Sequence, residues 1–394
     1  MTQSPQVPLG PRSSLYFIHS LFSVWGAMLS MTLLPMPVCS AASYTITDLG
    51  ATGLIDSGNY FAVVEINNSG TISGTYKFPG APNGYYHASS YSGGVQTDLG
   101  TLGSLVSNAQ DINDSGQIVG RSYTANRGPE HAFLYSQGTM LDLGTLGGLY
   151  SIGYGINNQG QVTGSAYTTG NAYHAFLYKD GVMHDLGTLP GLPNSSGKAL
   201  NSSGQIVGSS SGAAGTSHAF LYSNGAMQDL GPGLAFDINE AGQVVGQAGT
   251  NAFLYSQGVM QVLGSLDSTW RGSSAYGINN TGEIVGSSTV RIGDALHGHA
   301  FLYVAGAMHD LNEFIDPSTG WELNAATGIN DHGQIVGWGR ILVNGAREDH
   351  AFLLTPIPEP SSFALAALGL IGLTASGWRK RSRVARLPSR CASG

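Results

Sequence analysis

The sequence predicts an all-β chain: a seven-bladed β-propeller of four-stranded blades, closed by its own N-terminal strand. Three observations carry this expectation. The phrase Ile-Asn-x-x-Gly recurs from Ile66 to Gly70, and again from Ile112, Ile156, Ile238, Ile278 and Ile329, with Leu200 to Gly204 as a close variant. Each copy is followed by two further strand-like runs, and steps of 38 to 51 residues between turn glycines mark a modular array. The two ends of the array are offset by one strand.

The clearest unit runs from Ala109 to Gly144. Asn-x-x-Gly fits a type I turn with Asn first and Gly supplying the positive φ that follows, so Ala-x-x-Ile and Gln-Ile-Val-Gly become a hairpin. Tyr135-Ser-Gln-Gly138 carries the same Gly placement, and predicts a second hairpin between His131-Ala-Phe-Leu-Tyr135 and Thr139-Met-Leu-Asp-Leu143. Ala132 to Tyr135 is apolar on both alternating faces, as in a strand covered on both sides. The last unit ends at His350-Ala-Phe-Leu-Leu354 without an Asp-Leu-Gly strand, whereas Tyr44-Thr-Ile-Thr-Asp48-Leu-Gly50 has that ending with no unit before it. A ring that lends its first strand to its last blade explains the offset and leaves no long open edge. An open solenoid or array of the same hairpins is the alternative.

Three segments follow: a secretory signal region at 1–42, the repeats at 43–355 and a tail at 356–394. Leu15 to Leu34 is mostly apolar, follows Arg12 and leads into Ser40-Ala41-Ala42, as a cleaved signal does; a retained anchor is the alternative. Both cysteines, Cys39 and Cys391, lie outside the repeats, so cysteine content is silent on redox compartment. Only 10% of residues are charged, 42% are hydrophobic and Gly numbers 58, which describes an ordered, turn-rich chain. The net charge of −8 hides an asymmetry. Of the 24 acidic residues all but Glu359 lie in the repeats, while Arg379, Lys380, Arg381, Arg383, Arg386 and Arg390 follow them. Such a body repels nucleic acid, whose binding rests on clustered Lys and Arg.

In the tail, Pro358-Glu359-Pro360 precedes an uncharged stretch from Phe363 to Trp378 and then the basic Arg379-Lys380-Arg381. Sixteen apolar residues are short for a bilayer span, which needs about 20, yet the basic end sets an orientation with the repeats outside. This order resembles the PEP-CTERM sorting signal. The resemblance implies processing by an exosortase of a Gram-negative bacterium, transient inner-membrane retention through 363–378, and a final place at the cell surface or in an exopolysaccharide-rich biofilm matrix. The repeats themselves are similar to the HAF repeat of bacterial extracellular proteins, in His-Ala-Phe at His131, His174, His218, His299 and His350 and in the Asp-Leu-Gly that follows; Asn251 replaces the His once, and His87-Ala88 lacks the Phe. That resemblance implies an address and an architecture, and no established activity.

Chemistry is sparse along the chain. A His in nearly every unit serves the unit, and the expected role is a hydrogen bond to a neighbouring turn. His297-Gly-His299 has a metal-ligand spacing but no third ligand nearby. Asp111-Ile-Asn-Asp-Ser-Gly116 matches the start of a calcium loop whose later glutamate is replaced by Ser122. No phosphate loop, nucleophile elbow or carboxylate pair stands out, so no cofactor and no metal are expected. The irregular stretch from Asp310 to Asn324 places Trp321 and Glu322 as candidate ligand-binding residues, with packing at the seam as the other role for Trp321. The leading expectation is therefore a non-catalytic exported protein that binds exopolysaccharide. The alternative is a secreted glycan hydrolase or lyase with one asymmetric site at the mouth of the propeller channel, formed by single-copy acids such as Glu313, Asp316 and Glu322.

Overall fold

The computed structural model describes residues 44–51, 65–76, 85–125, 128–269 and 272–358. Their strands make seven antiparallel four-stranded sheets, and the sheets are the blades of a propeller. Blades 1 to 6 span 65–98, 103–142, 147–185, 194–232, 234–264 and 273–310, each with its strands in chain order from the axis outward. Blade 7 takes its first three strands, Glu322–Ile329, Ile335–Val343 and Ala346–Pro356, from the end of the repeats and its fourth, Tyr44–Ala51, from their start. Tyr44 pairs with Pro356 and Asp48 with Phe352, so the ring closes as the offset of the ends predicts.

Each first hairpin is a type I turn followed by a glycine at positive φ. In blade 2 the Gly116 N–H donates to the Asn113 carbonyl, Gly116 lies at φ +74, and the Asn113 N–H donates to Gln117 O. The outer hairpins differ from the expectation of the same turn. Gln137 and Gly138 lie at φ 50 and 80, Asn224 and Gly225 at 53 and 82, so these are two-residue turns with both central residues left-handed. That geometry matches the natural twist of a tight hairpin.

The blades bury both faces of their middle strands. Ile118 and Val119 are neighbours on one strand and are 1% and 0% exposed, because one packs towards each adjoining blade. Phe133, Phe176, Phe220, Phe253, Phe301 and Phe352 are fully buried, while blade 1 carries Ser89 there. Each Phe lies across a glycine of the second strand: Phe133 pairs with Gly120, where a Cβ would fall 2.9 Å from the ring and 1.9 Å from Asn108 O. Serines stitch blade to blade. Ser107, Ser151, Ser195 and Ser273 each accept from the Ala N–H of the preceding blade at 2.8 Å and donate to its Gly carbonyl at 2.5–2.6 Å.

The insert between blades 6 and 7 folds over the seam. Its two short 3-10 turns, Leu311–Glu313 and Pro317–Thr319, bury Leu311 and Ile315 against Leu323, Phe352 and the half-buried Tyr44 and Ile46. The Phe314 carbonyl accepts from the Tyr44 N–H at 3.1 Å, anchoring the closing strand. The signal region 1–42, Glu359, Pro360, segment 363–378, Arg379, Lys380 and Arg381 lie outside the described residues. Pro358 lies just past the last strand and is exposed. Among the described residues no helix is long and apolar enough to cross a membrane.

Candidate functional site in the central channel

The innermost strand of each blade has no partner on its axial side, so its inward-facing groups must be satisfied by side chains, solvent or a ligand. At the turn end the buried asparagines do this for one another. The side chain of Asn67 donates to Asn113 O, Asn113 to Asn157 O, and so on through Asn201, Asn239, Asn279 and Asn330 back to Asn67 O, at 2.9–3.2 Å. Each Oδ1 meanwhile accepts from the N–H groups two and four residues on, as Asn113 does from Ser115 and Gln117. The repeated Asn therefore holds its own turn and links to the next, in a circuit of seven. It leaves a shallow polar mouth of about 160 Å³, rimmed by the residues after each Asn, among them Asp114, Glu240 and Asp331.

A larger cavity of about 640 Å³ is lined by the residues that precede each Ile-Asn. The first strands carry a β-bulge there: Ala109 pairs with Gly120 and Asp111 with Val119, leaving Gln110 as the extra residue. The same slip frees Tyr154, Lys198, Phe236, Tyr276 and Thr327 in blades 3 to 7, and all six extra residues line the cavity. A bulge re-aims a side chain out of the pleat, which is how a buried inner strand delivers a variable residue to the axis.

The next position inward bears the charge. Glu65, Asp111 and Asp237 project into the cavity from blades 1, 2 and 5. Asp111 accepts from its own Ile112 N–H at 2.7 Å and from Ile156 N–H of the next blade at 2.8 Å. Asp237 does the same with Ile238 and Ile278. Although each keeps one face on the cavity, loss of solvent pushes Asp111 up to about 7 and Asp237 to about 6, only partly offset by those N–H groups. Burial, followed by repulsion from Asp111 and Asp237, raises Glu65 well above the usual carboxylate range. Its carboxylate rests over Gly328, where a Cβ would lie 2.3 Å from Oε2. Burial lowers Lys198 to about 8, and its ammonium sits 3.4 Å from the centroid of the Tyr154 ring.

Sequence reasoning singled out no carboxylate pair, whereas the structure brings residues 65, 111 and 237 to the wall of one cavity, because three blades share one axis. The signal was the position before each Ile, which changes through Glu65, Asp111, Gly155, Ala199, Asp237, Gly277 and Gly328 while its surroundings repeat. Asp111 is also the residue read as a calcium-loop start; its oxygens face the cavity and accept backbone N–H groups, away from the turn.

The repeated histidines are corrected too. Each bonds within its own blade rather than to a neighbouring turn: His87 to Asp98, His131 to Asp142, His174 to Asp185, His218 to Asp229 and His299 to Asp310, at 2.6–3.0 Å, and His350 to Asp48 of the closing strand. Blade 5 lacks both members together, with Asn251 and Val262 in their places. His297 bonds to Glu322, so the two histidines of His297-Gly-His299 serve different carboxylates.

Trp321 is half-buried and meets His350 and Phe352 edge-on, with centroids 6.2 and 6.1 Å apart. Glu322 accepts from Arg347 at 2.6 Å and pairs with His297 at 3.1 Å. Asp316 caps the Pro317–Thr319 turn through the Ser318 N–H, and Glu313 is exposed.

A family model for the PEP-CTERM protein-sorting motif matches residues 356–381. No curated protein matches the chain. Among solved structures, the chain is similar to a puromycin-hydrolyzing peptidase of Mycobacterium tuberculosis at 12% identity and a TM-score of 0.48, over 80% of this chain and 54% of that one. It is similar to the Aleuria aurantia lectin, solved with Fucα1-6GlcNAc, at 13% identity and a TM-score of 0.35, over 76% and 96%. A gluconolactonase of Xanthomonas campestris gives 13% and 0.34, over 62% and 83%. This chain thus spans about half the length of the peptidase. The sorting motif implies a protein exported through the membrane and sorted to the cell surface, with exosortase processing and a membrane-anchored tail.

Proposed function

We propose that this is a surface-sorted binding protein whose propeller lumen holds a glycan from the cell's own matrix without turning it over. The cavity carries the reading. It combines flat rings at Tyr154, Phe236 and Tyr276 with fixed carboxylates at Glu65, Asp111 and Asp237, in a volume suited to a short oligosaccharide. Sugar rings stack on aromatic faces while their hydroxyls need acceptors of set position. On this reading Trp321 packs the seam, Glu322 orders Arg347 and His297, and specificity lies at the bulges.

A glycan hydrolase or lyase is the second reading, favoured by Asp111, whose proton affinity suits a general acid near neutral pH. Against it, each oxygen of Asp111 and of Asp237 accepts a backbone N–H, which fixes these groups in place and favours their use as acceptors over proton donation. Incubation with purified exopolysaccharide of the producing cell separates the two. Retention with no new reducing ends or unsaturated products supports binding; steady product formation overturns it.

A further inference from the structure

The lumen is polarised around the axis. Among the described residues its one lysine, Lys198, lies on blade 4 and rests on Tyr154 of blade 3. The three carboxylates and the remaining aromatic residues occupy the other blades: Asp237 and Phe236 on blade 5, Tyr276 on blade 6, Trp338 on blade 7, Glu65 on blade 1 and Asp111 on blade 2. The Phe236 and Tyr276 rings stand 5.7 Å apart at 50°, so two faces from adjoining blades converge. Glu65 feels both aspartates as repulsive neighbours, and what opposes that repulsion is a single backbone N–H.

We propose that the three carboxylates recognise a protonated amino group, and that the glycan held in the lumen is an amino-sugar polymer carrying free amines. This rests on the glycan reading above and names its chemical class. An ammonium is attracted to the face of an aromatic ring and to carboxylates alike, and the attraction grows where water is displaced. The lumen already holds one cation this way, since Lys198 sits over Tyr154. Its place over the blade 3 ring leaves the carboxylates of blades 1, 2 and 5 to a ligand. A neutral N-acetyl group would meet the same carboxylates without neutralising them. A carboxylated sugar would add a fourth acidic group to the three already there.

The test is titration calorimetry of the full-length protein with a β-linked glucosamine hexamer and with its fully N-acetylated counterpart, at pH 6.5 and low salt. The amine hexamer is expected to bind at least tenfold more tightly. Glu65→Gln, which keeps shape and removes the ionisable carboxyl, should cut that preference at least threefold with the melting temperature held. Tyr276→Ala should weaken the amine hexamer about tenfold and keeps the question open should the first variant fail to fold. Equal affinity for the two hexamers overturns the amine assignment and leaves the glycan reading standing. Binding of neither hexamer overturns the amine assignment, while retention of native exopolysaccharide decides the broader reading separately. Equal binding of tetralysine overturns the sugar part.

Discussion

His350 and Asp48 stand 302 residues apart in sequence and share hydrogen bonds of 2.8 and 2.9 Å from one ring nitrogen to both carboxylate oxygens. The same pair elsewhere joins strands already linked by a tight hairpin, 11 residues apart, as in His131 and Asp142. In blade 7 it joins the two ends of the ring.

Breaking that pair should therefore loosen the closing strand. Asp48→Ala and His350→Ala are expected to cost about 1–3 kcal/mol and to speed proteolysis or hydrogen exchange over 44–51. His174→Ala should cost a similar amount and leave exchange at 44–51 unchanged. Deleting 44–50 should cost far more; a barely altered melting temperature after that deletion would count against a closed ring.

Blade 5 offers the converse experiment. Asn251→His and Val262→Asp introduced together should build the missing pair, whereas each alone adds a polar group without its partner. Val262 is 56% exposed, so room exists for the carboxylate. A double-mutant cycle should return a favourable coupling of about 1 kcal/mol; additivity would show that the pair contributes nothing at this edge.

The second-strand glycines are needed for packing. Gly246→Ala would set a Cβ 2.0 Å from Leu234 O and 2.9 Å from the Phe253 ring, and should destabilise the protein by about 3 kcal/mol. Denaturant unfolding measures it, and a loss within error would mean that the blade can shift to accept a methyl group.

Trp321→Ala should lower stability by about 2 kcal/mol, roughly half the loss from a fully buried Trp, since its ring packs on His350 and Phe352. Glycan affinity should hold. A fall in affinity at constant melting temperature would move the binding site to the insert.

Stability should peak in mild acid. Between pH 3.8 and about 7 the unfolded chain ionises Asp111 while the folded chain keeps its proton, so that contribution falls as pH rises and levels off above 7. Asp237 acts likewise up to about 6. His299 adds to the trend: burial disfavours its charge, but Asp310 and Glu322 outweigh this and raise it, so its stabilisation is full below 6.5 and lost above. Asp310 works the other way, since His299 and Asn312 overcome its burial and lower it, and its contribution disappears only as pH falls below 3.8. Melting temperatures should thus decline from about pH 5 to pH 8, less steeply in Asp111→Asn. A rise over that range would contradict the assignment of these groups to an enclosed lumen.

Much of the ring was legible because its rules are local. Asn113 and Gly116 specify a turn wherever they occur, and the unpaired ending at Asp48-Leu49-Gly50 announces a strand owed to another blade. Repetition of such local rules seven times determines the architecture, since each blade must cover its neighbour's apolar face.

The lumen was not legible, for the same reason. Gln110, Tyr154, Lys198, Phe236, Tyr276 and Thr327 occupy one position of the repeat, and aromatic, cationic and neutral polar side chains alternate there without a shared motif. Only a bulge, which adds one residue to one strand, turns them inward, and a period-two reading assigns that position to a sheet face. Proton affinities are further removed from local rules: Asp111 is an ordinary aspartate by sequence, and its shift arises from the solvent lost when seven blades close. The sequence by itself determined the repeat, the turns and the closing strand, because those depend on residues a few positions apart or on one missing partner. Tertiary structure alone decided which side chains share the axis and how their charges feel one another, because electrostatics depends on distance through space and on the water that the closed ring excludes.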